Sequence, residues 1–483
     1  MTRKNTAPAG AVSGFRHGIV SRFMHLLGAQ GLKDLLNTLF LIYLARTSST
    51  AYGEYMLAFE AGYIVLFLGE FGLNQALVND LNEKSERKAE VLARYTLLKS
   101  VLLGLGWVGV LGFSVWQAYR PGLVVMVLVL AVGMGLEALA SSFYVSCRVA
   151  GRQDQEAKLR TLASLIGFGF GFVALALGAP TVVVACFRMV ENLANLAGGM
   201  AVTLVRSELA ALRVEREALV RTWMTIRNNL VYLGIALAGI LYNKANVFFL
   251  QRYGGTDLVA QYSVAWATVE GVAVLVSNLM LRNVLYPLLV ELWRKDQDEF
   301  LRLVRTSVRW LLVAALPVMF VLCVEADRIV GLLYGPQYGL AGQVQQFMVP
   351  AVLCAFLHNL AAYVMMSRKE ERPLFWMYVA GLAFNLVLCM TLVPRWPLFG
   401  AALALVLTRL GMTGLTLGHC QRRLRIVEWK SLAPIGGALL VGGLAYVLLH
   451  ATVGRELAEG AAVLPFLWLG VRWHRQRRVG KAA

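Results

Sequence analysis

Two basic residues, Arg22 and Lys33, lie inside an apolar stretch at 19–45 that is long enough to cross a bilayer. An isolated cation at that depth costs several kcal/mol, so it normally faces a helix-bundle interior or a wet cavity. Because a helix turns about 100° per residue, positions eleven apart return to within about 20°, and both cations share one face. His25 and Asn37 lie within about 80° of that face. This pattern favours binding of an anion such as phosphate.

The second half of the chain repeats this chemistry with Lys244 and Arg282, and helical geometry places Asn278 within about 60° of Arg282. We therefore predict a cationic substrate-binding cavity between the two halves, formed by Arg22, Lys33, Asn37, Lys244, Asn278 and Arg282. Two alternatives stay open at this point. The cations snorkel to an interface, or they pair locally, as Lys33 would with its neighbour Asp34.

Carboxylates also occur inside apolar stretches. A buried carboxylate can carry a proton or hold a cation that is coupled to transport, and Glu60, Glu70 and Glu270 are the candidates for that role. The alternative is that they neutralise the cations. Arg188 and Glu191 are spaced i, i+3 on one helical face and are predicted to form a structural ion pair.

Composition indicates a membrane protein. The 483 residues are 58% hydrophobic and only 15% charged, and the mean hydropathy is +0.62. A soluble domain carries about 25% charged residues. The spacing typical of a P-loop, a zinc protease or a serine hydrolase does not occur in the sequence, and the six cysteines lack metal-site spacing. We expect no enzyme activity, no cofactor and no metal.

Apolar stretches of about 20 residues predict an all-α polytopic fold with about fourteen transmembrane helices. Their ranges are 19–45, 50–80, 93–117, 121–147, 158–177, 180–205, 223–251, 257–292, 303–324, 340–366, 373–393, 397–418, 431–450 and 455–472.

Most of the 46 lysine and arginine residues fall in alternate connections. The positive-inside rule then places both termini in the cytoplasm. This asymmetry explains the net charge of +18 without a nucleic-acid partner.

A faint repeat at an offset of about 211 residues aligns Lys33 with Lys244 and, after a one-residue shift, Glu60 with Glu270. It predicts two six-helix lobes in parallel orientation, followed by two extra helices. The predicted segments are a cytoplasmic tail at 1–18, an N-lobe at 19–205, a linker at 206–222, a C-lobe at 223–418, a final helix pair at 431–472 and a basic tail at 473–483.

Four stretches carry a family resemblance: FLIYLARTSSTAYGEYMLAFEAGYIVLFLGEFGLNQAL, ANVFFLQRYGGTDLVAQYSVAWATVEGV, EADRIVGLLYGPQYGLAGQVQQFMVP and NLVLCMTLVPRWPLFGAALALVLT. Together they resemble the polysaccharide-transporter family, which includes O-antigen flippases, of the multidrug/oligosaccharidyl-lipid/polysaccharide (MOP) exporter superfamily. One departure is the second family glycine, which is replaced by Ala401 or Ala402.

The resemblance implies an alternating-access flippase in the bacterial inner membrane that moves an undecaprenyl-diphosphate-linked oligosaccharide. Partners expected from it are the bilayer, the anionic lipid-linked glycan, a polysaccharide polymerase and glycosyltransferases. One alternative is a multidrug or organic-cation exporter of the same superfamily, which would present carboxylates to its substrate. Another is a membrane glycosyltransferase or glycan polymerase, for which the short external connections offer only Glu54, Glu325 and Asp327.

Overall fold

The computed structural model describes the backbone of residues 9–70, 72–83, 88–203, 220, 224, 227, 230–452 and 454–479. Within those ranges, the side chains of 9–27, 275–279, 283, 429–431 and 476–479 lie outside the description. The described chain is helical and contains no strand, which confirms the predicted all-α fold class. It divides into two compact units, called here the N-unit, Met1–Leu233, and the C-unit, Gly234–Ala483.

The N-unit contains eight described helices: α1 Ala9–Thr47, α2 Ser49–Glu70, α3 Leu73–Glu83, α4 Lys88–Trp116, α5 Pro121–Val149, α6 Gln153–Ala176, α7 Thr181–Ala185 and α8 Phe187–Thr203. Helix α5 packs against both α2 and α8, and α6 packs against α1 and α8. Gly72 has φ +71°, which favours glycine, and it marks the turn from α2 into α3.

The C-unit begins within α9, Leu230–Val276, and continues through a π-helix at Ser277–Leu285. The later elements are α10 Tyr286–Lys295, α11 Gln297–Val324, α12 Ala326–Tyr334, a 3₁₀ turn at Pro336–Tyr338, α13 Gly339–Met348, α14 Pro350–Ser367, α15 Glu371–Leu392, α16 Pro397–Leu424, α17 Trp429–His450 and α18 Arg455–Val479. Gly255, at φ 78°, breaks α9 internally. The Asp296 side chain caps α11 by accepting from the Glu299 N–H at 2.9 Å.

In the part of the chain that the structure describes, ten helices are long and apolar enough to cross a membrane. The 45-residue helix Leu230–Val274 covers two of the predicted spans. The predicted spans at 19–45, 180–205 and 455–472 are not among the ten. The polytopic architecture is therefore established, and the count of fourteen stays a prediction.

Several boundaries differ from those predicted. Helix α1 begins at Ala9, inside the predicted tail 1–18. The predicted span 340–366 is two helices, α13 and α14, because Pro350 starts a new helix where it has no N–H to donate. The predicted linker 206–222 lies outside the described residues except at Val220. Apart from these differences, the segment boundaries remain predictions.

Candidate functional site

A buried ionic cluster lies at the centre of the N-unit. Lys33 on α1 bonds Glu137 on α5 at 2.6 Å, and it lies 3.5 Å from Glu191 on α8. Its sequence neighbour Asp34 instead accepts a hydrogen bond from Gln30 at 2.9 Å. The carboxylates that neutralise Lys33 therefore lie on helices that are distant in sequence, α5 and α8, rather than on its own helix.

Arg188 completes this cluster. Its guanidinium pairs with Glu191 at 2.8 Å and donates to the side-chain oxygen of Asn37 on α1. Ser164 on α6 donates to Glu191 at 3.1 Å. We call Lys33, Asn37, Glu137, Ser164, Arg188 and Glu191 the N-unit cluster. Its two cations and two carboxylates balance, so it is polar without a net positive charge.

Aromatic rings close the space around Arg188. Its guanidinium carbon lies 5.9, 5.4 and 5.0 Å from the ring centroids of Phe59, Phe168 and Phe187. Such cation–π contacts, together with the ion pair, hold the guanidinium rigidly. This environment suits a structural clasp better than an open binding site.

Glycines on α5 and α6 allow α8 to pack closely against these two helices. A Cβ at Gly167 on α6 would overlap the backbone and Cβ of Glu191, and one at Gly133 on α5 would lie 3.0 Å from the backbone nitrogen of Met189. Small residues permit close helix approach in membranes. The glycines of α5 and α6 therefore determine how deeply Arg188 and Glu191 are buried.

The C-unit contains a polar cavity of about 240 Å³. It is lined by Tyr242, Asn243, Glu270, Ala273, Val274, Cys354, Ala355, His358, Asn359, Tyr363, Arg409 and Met412, and is called here the C-unit cavity. These residues come from α9, α14 and α16. Hydrogen-bond donors and acceptors thus meet in one enclosed space within a membrane unit.

Arg409 organises the cavity. It pairs with Glu270 at 2.8 Å, donates to Asn243 at 3.0 Å and stacks 4.6 Å from the centroid of a Trp266 ring. The Arg409 side chain is 6% exposed, while Glu270 is 26% exposed. Because Glu270 keeps this exposure, its carboxylate remains available to a ligand.

His358 lies on the cavity wall between two hydroxyl groups. Its Nε2 is 2.8 Å from the Tyr378 hydroxyl and its Nδ1 is 3.2 Å from the Thr416 hydroxyl. These contacts fix the ring orientation. The sequence favours a satisfied buried pair for His358 and Asn359 rather than a binding site. Arg409 was not a candidate; the signal available for it was its position inside an apolar stretch.

The predicted cationic residues do not all meet in the described structure. Lys33 and Asn37 join the N-unit cluster. Lys244 is half-buried on α9 and Arg282 is exposed on the π-helix. The side chains of Arg22 and Asn278 lie outside the described residues.

The predicted coupling carboxylates lie in three different places. Glu60 is buried on α2 at 3% exposure. Glu70 accepts a hydrogen bond from Asn74 at 3.2 Å. Glu270 lines the C-unit cavity. The alternative to a coupling role was that these carboxylates neutralise cations. Glu270 does so by pairing with Arg409.

Two family models match the sequence. One, described as a polysaccharide biosynthesis protein, matches residues 44–343. The other, described as lipid II flippase MurJ, matches residues 259–469. No protein of curated function matches the sequence.

Solved structures share the fold at low identity. A multidrug resistance MATE family transporter in an inward-facing conformation superposes with a TM-score of 0.62 at 14% identity, over 82% of this chain and 94% of that one. Lipid II flippase MurJ, in an inward closed conformation, gives 0.61 at 13% identity, over 93% and 99%. A MOP superfamily transporter from Pyrococcus furiosus gives 0.55 at 14% identity, over 84% and 95%. The predicted family is confirmed: the chain belongs to the polysaccharide biosynthesis protein family.

Proposed function

We propose that the protein is a flippase that carries an undecaprenyl-diphosphate-linked oligosaccharide from the cytoplasmic to the outer leaflet of a bacterial inner membrane by alternating access. Two comparisons support this proposal: the matching family is described as a polysaccharide biosynthesis protein, and the second family model is that of a lipid II flippase. The product would feed O-antigen or exopolysaccharide assembly, with a polymerase and glycosyltransferases as functional partners.

The C-unit cavity is the observation that carries this proposal. Sugar hydroxyls both donate and accept hydrogen bonds, and the cavity offers amide, imidazole, phenol, carboxylate and guanidinium groups. Its volume of about 240 Å³ lies below the roughly 300–1,000 Å³ of pockets for drug-sized ligands. It therefore suits one sugar unit of a larger headgroup.

The test is translocation of a fluorescently labelled lipid-linked oligosaccharide in proteoliposomes. Arg409→Met and Glu270→Gln are each expected to lower the rate about fivefold or more, because a buried polar group left unpaired costs about 1–3 kcal/mol. Arg395→Gln is the control, since Arg395 is exposed in the turn that follows α15. Translocation that stays normal in both cavity variants would remove the cavity from the proposed mechanism.

Arg22 and Arg282 remain proposed contacts for the diphosphate. Arg22→Gln and Arg282→Gln, in the same assay, are expected to weaken transport of a diphosphate-linked substrate more than that of a neutral lipid-linked sugar. This comparison separates recognition of charge from general damage to the fold. Equal effects on both substrates would argue against a phosphate contact.

A second candidate function is export of organic cations. The observation in its favour is the Glu270 carboxylate, which lines the C-unit cavity and is 26% exposed. If this candidate is right, vesicles will transport a cationic dye, Glu270→Gln will abolish that transport, and the lipid-linked sugar will not compete with the dye.

A further inference from the structure

Lys99 is a fully buried lysine on α4. It lies eleven residues into α4, about 17 Å along the helix from Lys88. Its exposure is 0%. A lysine at this depth needs a physical explanation, because burying an ammonium group is expensive.

Three neutral oxygens surround its amino group. Nζ lies 2.7 Å from the side-chain oxygen of Asn74 on α3, and 2.8 Å from the carbonyl of Ala138 on α5. It lies 2.9 Å from the hydroxyl of Ser141, also on α5. An ammonium group has three N–H donors, so these oxygens satisfy all of them.

Ser141 makes the cage compatible with the neutral amine as well. A hydroxyl both donates and accepts, and the Ser141 hydroxyl now has the Ala138 carbonyl at 2.7 Å as its acceptor. When Lys99 loses a proton, its nitrogen gains a lone pair. Rotation of the Ser141 hydroxyl then lets it donate to that lone pair, while the remaining two N–H groups keep Asn74 and Ala138. Both protonation states are therefore fully hydrogen-bonded.

Each of the helices α2, α3 and α5, which pack against α4, carries a carboxylate. On α2, the half-buried Glu70 accepts from the Asn74 amide at 3.2 Å and acts on Lys99 electrostatically. On α3, Asp80 is bonded by Arg94.

On α5, Glu137 is bonded by Lys33 at 2.6 Å. Among these carboxylates, Glu70 is the one linked to Lys99 through a single side chain, that of Asn74.

We propose that Lys99 is a reversible proton-binding site, in which an amine takes a proton from water to become an ammonium group, with Glu70 as its electrostatic partner through Asn74. As a coupling site, this proposal rests on the proposed flippase function. It would make the proton the coupling ion. The site lies where three helices meet, since Lys99 of α4 bonds Asn74 on α3 and both Ala138 and Ser141 on α5.

The first test needs no substrate. Protein labelled with ¹⁵N-lysine, in phosphatidylethanolamine/phosphatidylglycerol vesicles, would be studied by solid-state NMR between about pH 5 and about pH 9. The Nζ resonance of Lys99, assigned by its absence in Lys99→Arg, is expected to change from the ammonium to the amine position within this range. A Lys99 resonance that stays at one position throughout would overturn the proposal.

The second test asks whether the site couples to transport. An imposed pH gradient is expected to accelerate wild-type translocation of the lipid-linked oligosaccharide. That acceleration should be lost in both Lys99→Met and Lys99→Arg, because neither variant can switch its charge. Lys158→Met, at an exposed lysine of α6, is the control.

The two variants distinguish a proton site from a structural cation. A lysine that merely holds α3 in place would be rescued by Lys99→Arg, and this result would overturn the proposal. If the rate of wild-type transport does not respond to the pH gradient, proton coupling is ruled out and the proposed flippase function stands. If the wild-type protein shows no transport while Lys99 still titrates, the proposed flippase function is ruled out and the proton site stands.

Discussion

The N-unit and the C-unit use the same pairing in different surroundings. In each, an arginine donates to an asparagine near the start of the unit: Arg188 to Asn37, and Arg409 to Asn243. In the N-unit, aromatic rings and the Glu191 carboxylate enclose the guanidinium. In the C-unit, the guanidinium lines a cavity of about 240 Å³.

From this difference we infer that the N-unit cluster stabilises the fold and that the C-unit cavity binds a ligand. A buried ion pair is costly to desolvate, and it stabilises a fold only when its hydrogen bonds are complete. In the N-unit cluster the partners come from within, since Lys33, Arg188 and Glu191 bond one another or nearby side chains, and the buried Nε of Arg188 is left without a hydrogen-bond partner. The C-unit pair borders free volume, so a ligand can take over some of its bonds. We expect substitutions in the N-unit to act on stability and those in the C-unit to act on transport.

The largest effect is expected from Glu191→Leu, which leaves Arg188 without its closest carboxylate. Removing one partner of a buried pair costs about 3–5 kcal/mol. The measurement is the free energy of unfolding in mixed micelles titrated with SDS. Arg188→Met combined with Glu191→Leu should be less destabilised than Glu191→Leu alone, since no guanidinium then remains unpaired. A double variant with the summed loss would contradict the clasp interpretation.

A smaller loss of stability is expected from Glu270→Leu in the C-unit. Water entering the cavity can solvate Arg409, which limits the cost to about 1–3 kcal/mol. The same SDS titration measures it beside Glu191→Leu. Equal losses in the two variants would remove the distinction between a sealed and an accessible pair.

Helix packing around the N-unit cluster gives the next prediction. Gly167→Ala places a methyl group against Glu191 and forces α6 and α8 apart, at a cost of about 1–3 kcal/mol. Gly169→Ala on the same helix is the matched control, because a Cβ there meets nothing within 4 Å. The expected result is a clear loss in the first variant and little change in the second. Equal stability of the two would show that α6 and α8 tolerate separation.

Sequence patterns predicted the helical class, the family and the local pairs, since these depend on composition and near spacing. Arg188 and Glu191 are three residues apart, so a helix alone brings them together. The bond from Lys33 to Glu137 joins residues 104 positions apart, and helix periodicity contains no information about that contact. For Lys33, proximity in sequence favoured Asp34, while tertiary packing provided Glu137 and Glu191.

Lys99 illustrates a second limit of prediction from sequence. The positive-inside rule counts cations near helix ends as cytoplasmic, and Lys99 falls within that margin. Its burial depends on the packing of α3 and α5 against α4, which places Asn74 beside it. The signal that could have indicated burial was its position between Leu98 and Val101 in a long apolar run.

An exposed ion pair tests whether burial sets the size of these effects. Arg455 at the start of α18 bonds Asp327 on α12 at 2.9 Å, and the Asp327 side chain is 66% exposed. This hydrogen bond lowers the pKa of Asp327. A carboxylate with a lowered pKa stabilises the fold above its unfolded pKa of about 3.9, and that contribution is lost as the pH falls. Asp327→Asn should therefore cost less than about 1 kcal/mol at neutral pH and still less near pH 3, in unfolding measured at both values. A loss as large as that of Glu191→Leu would mean that pairing itself, rather than burial, determines how strongly each unit depends on its ions.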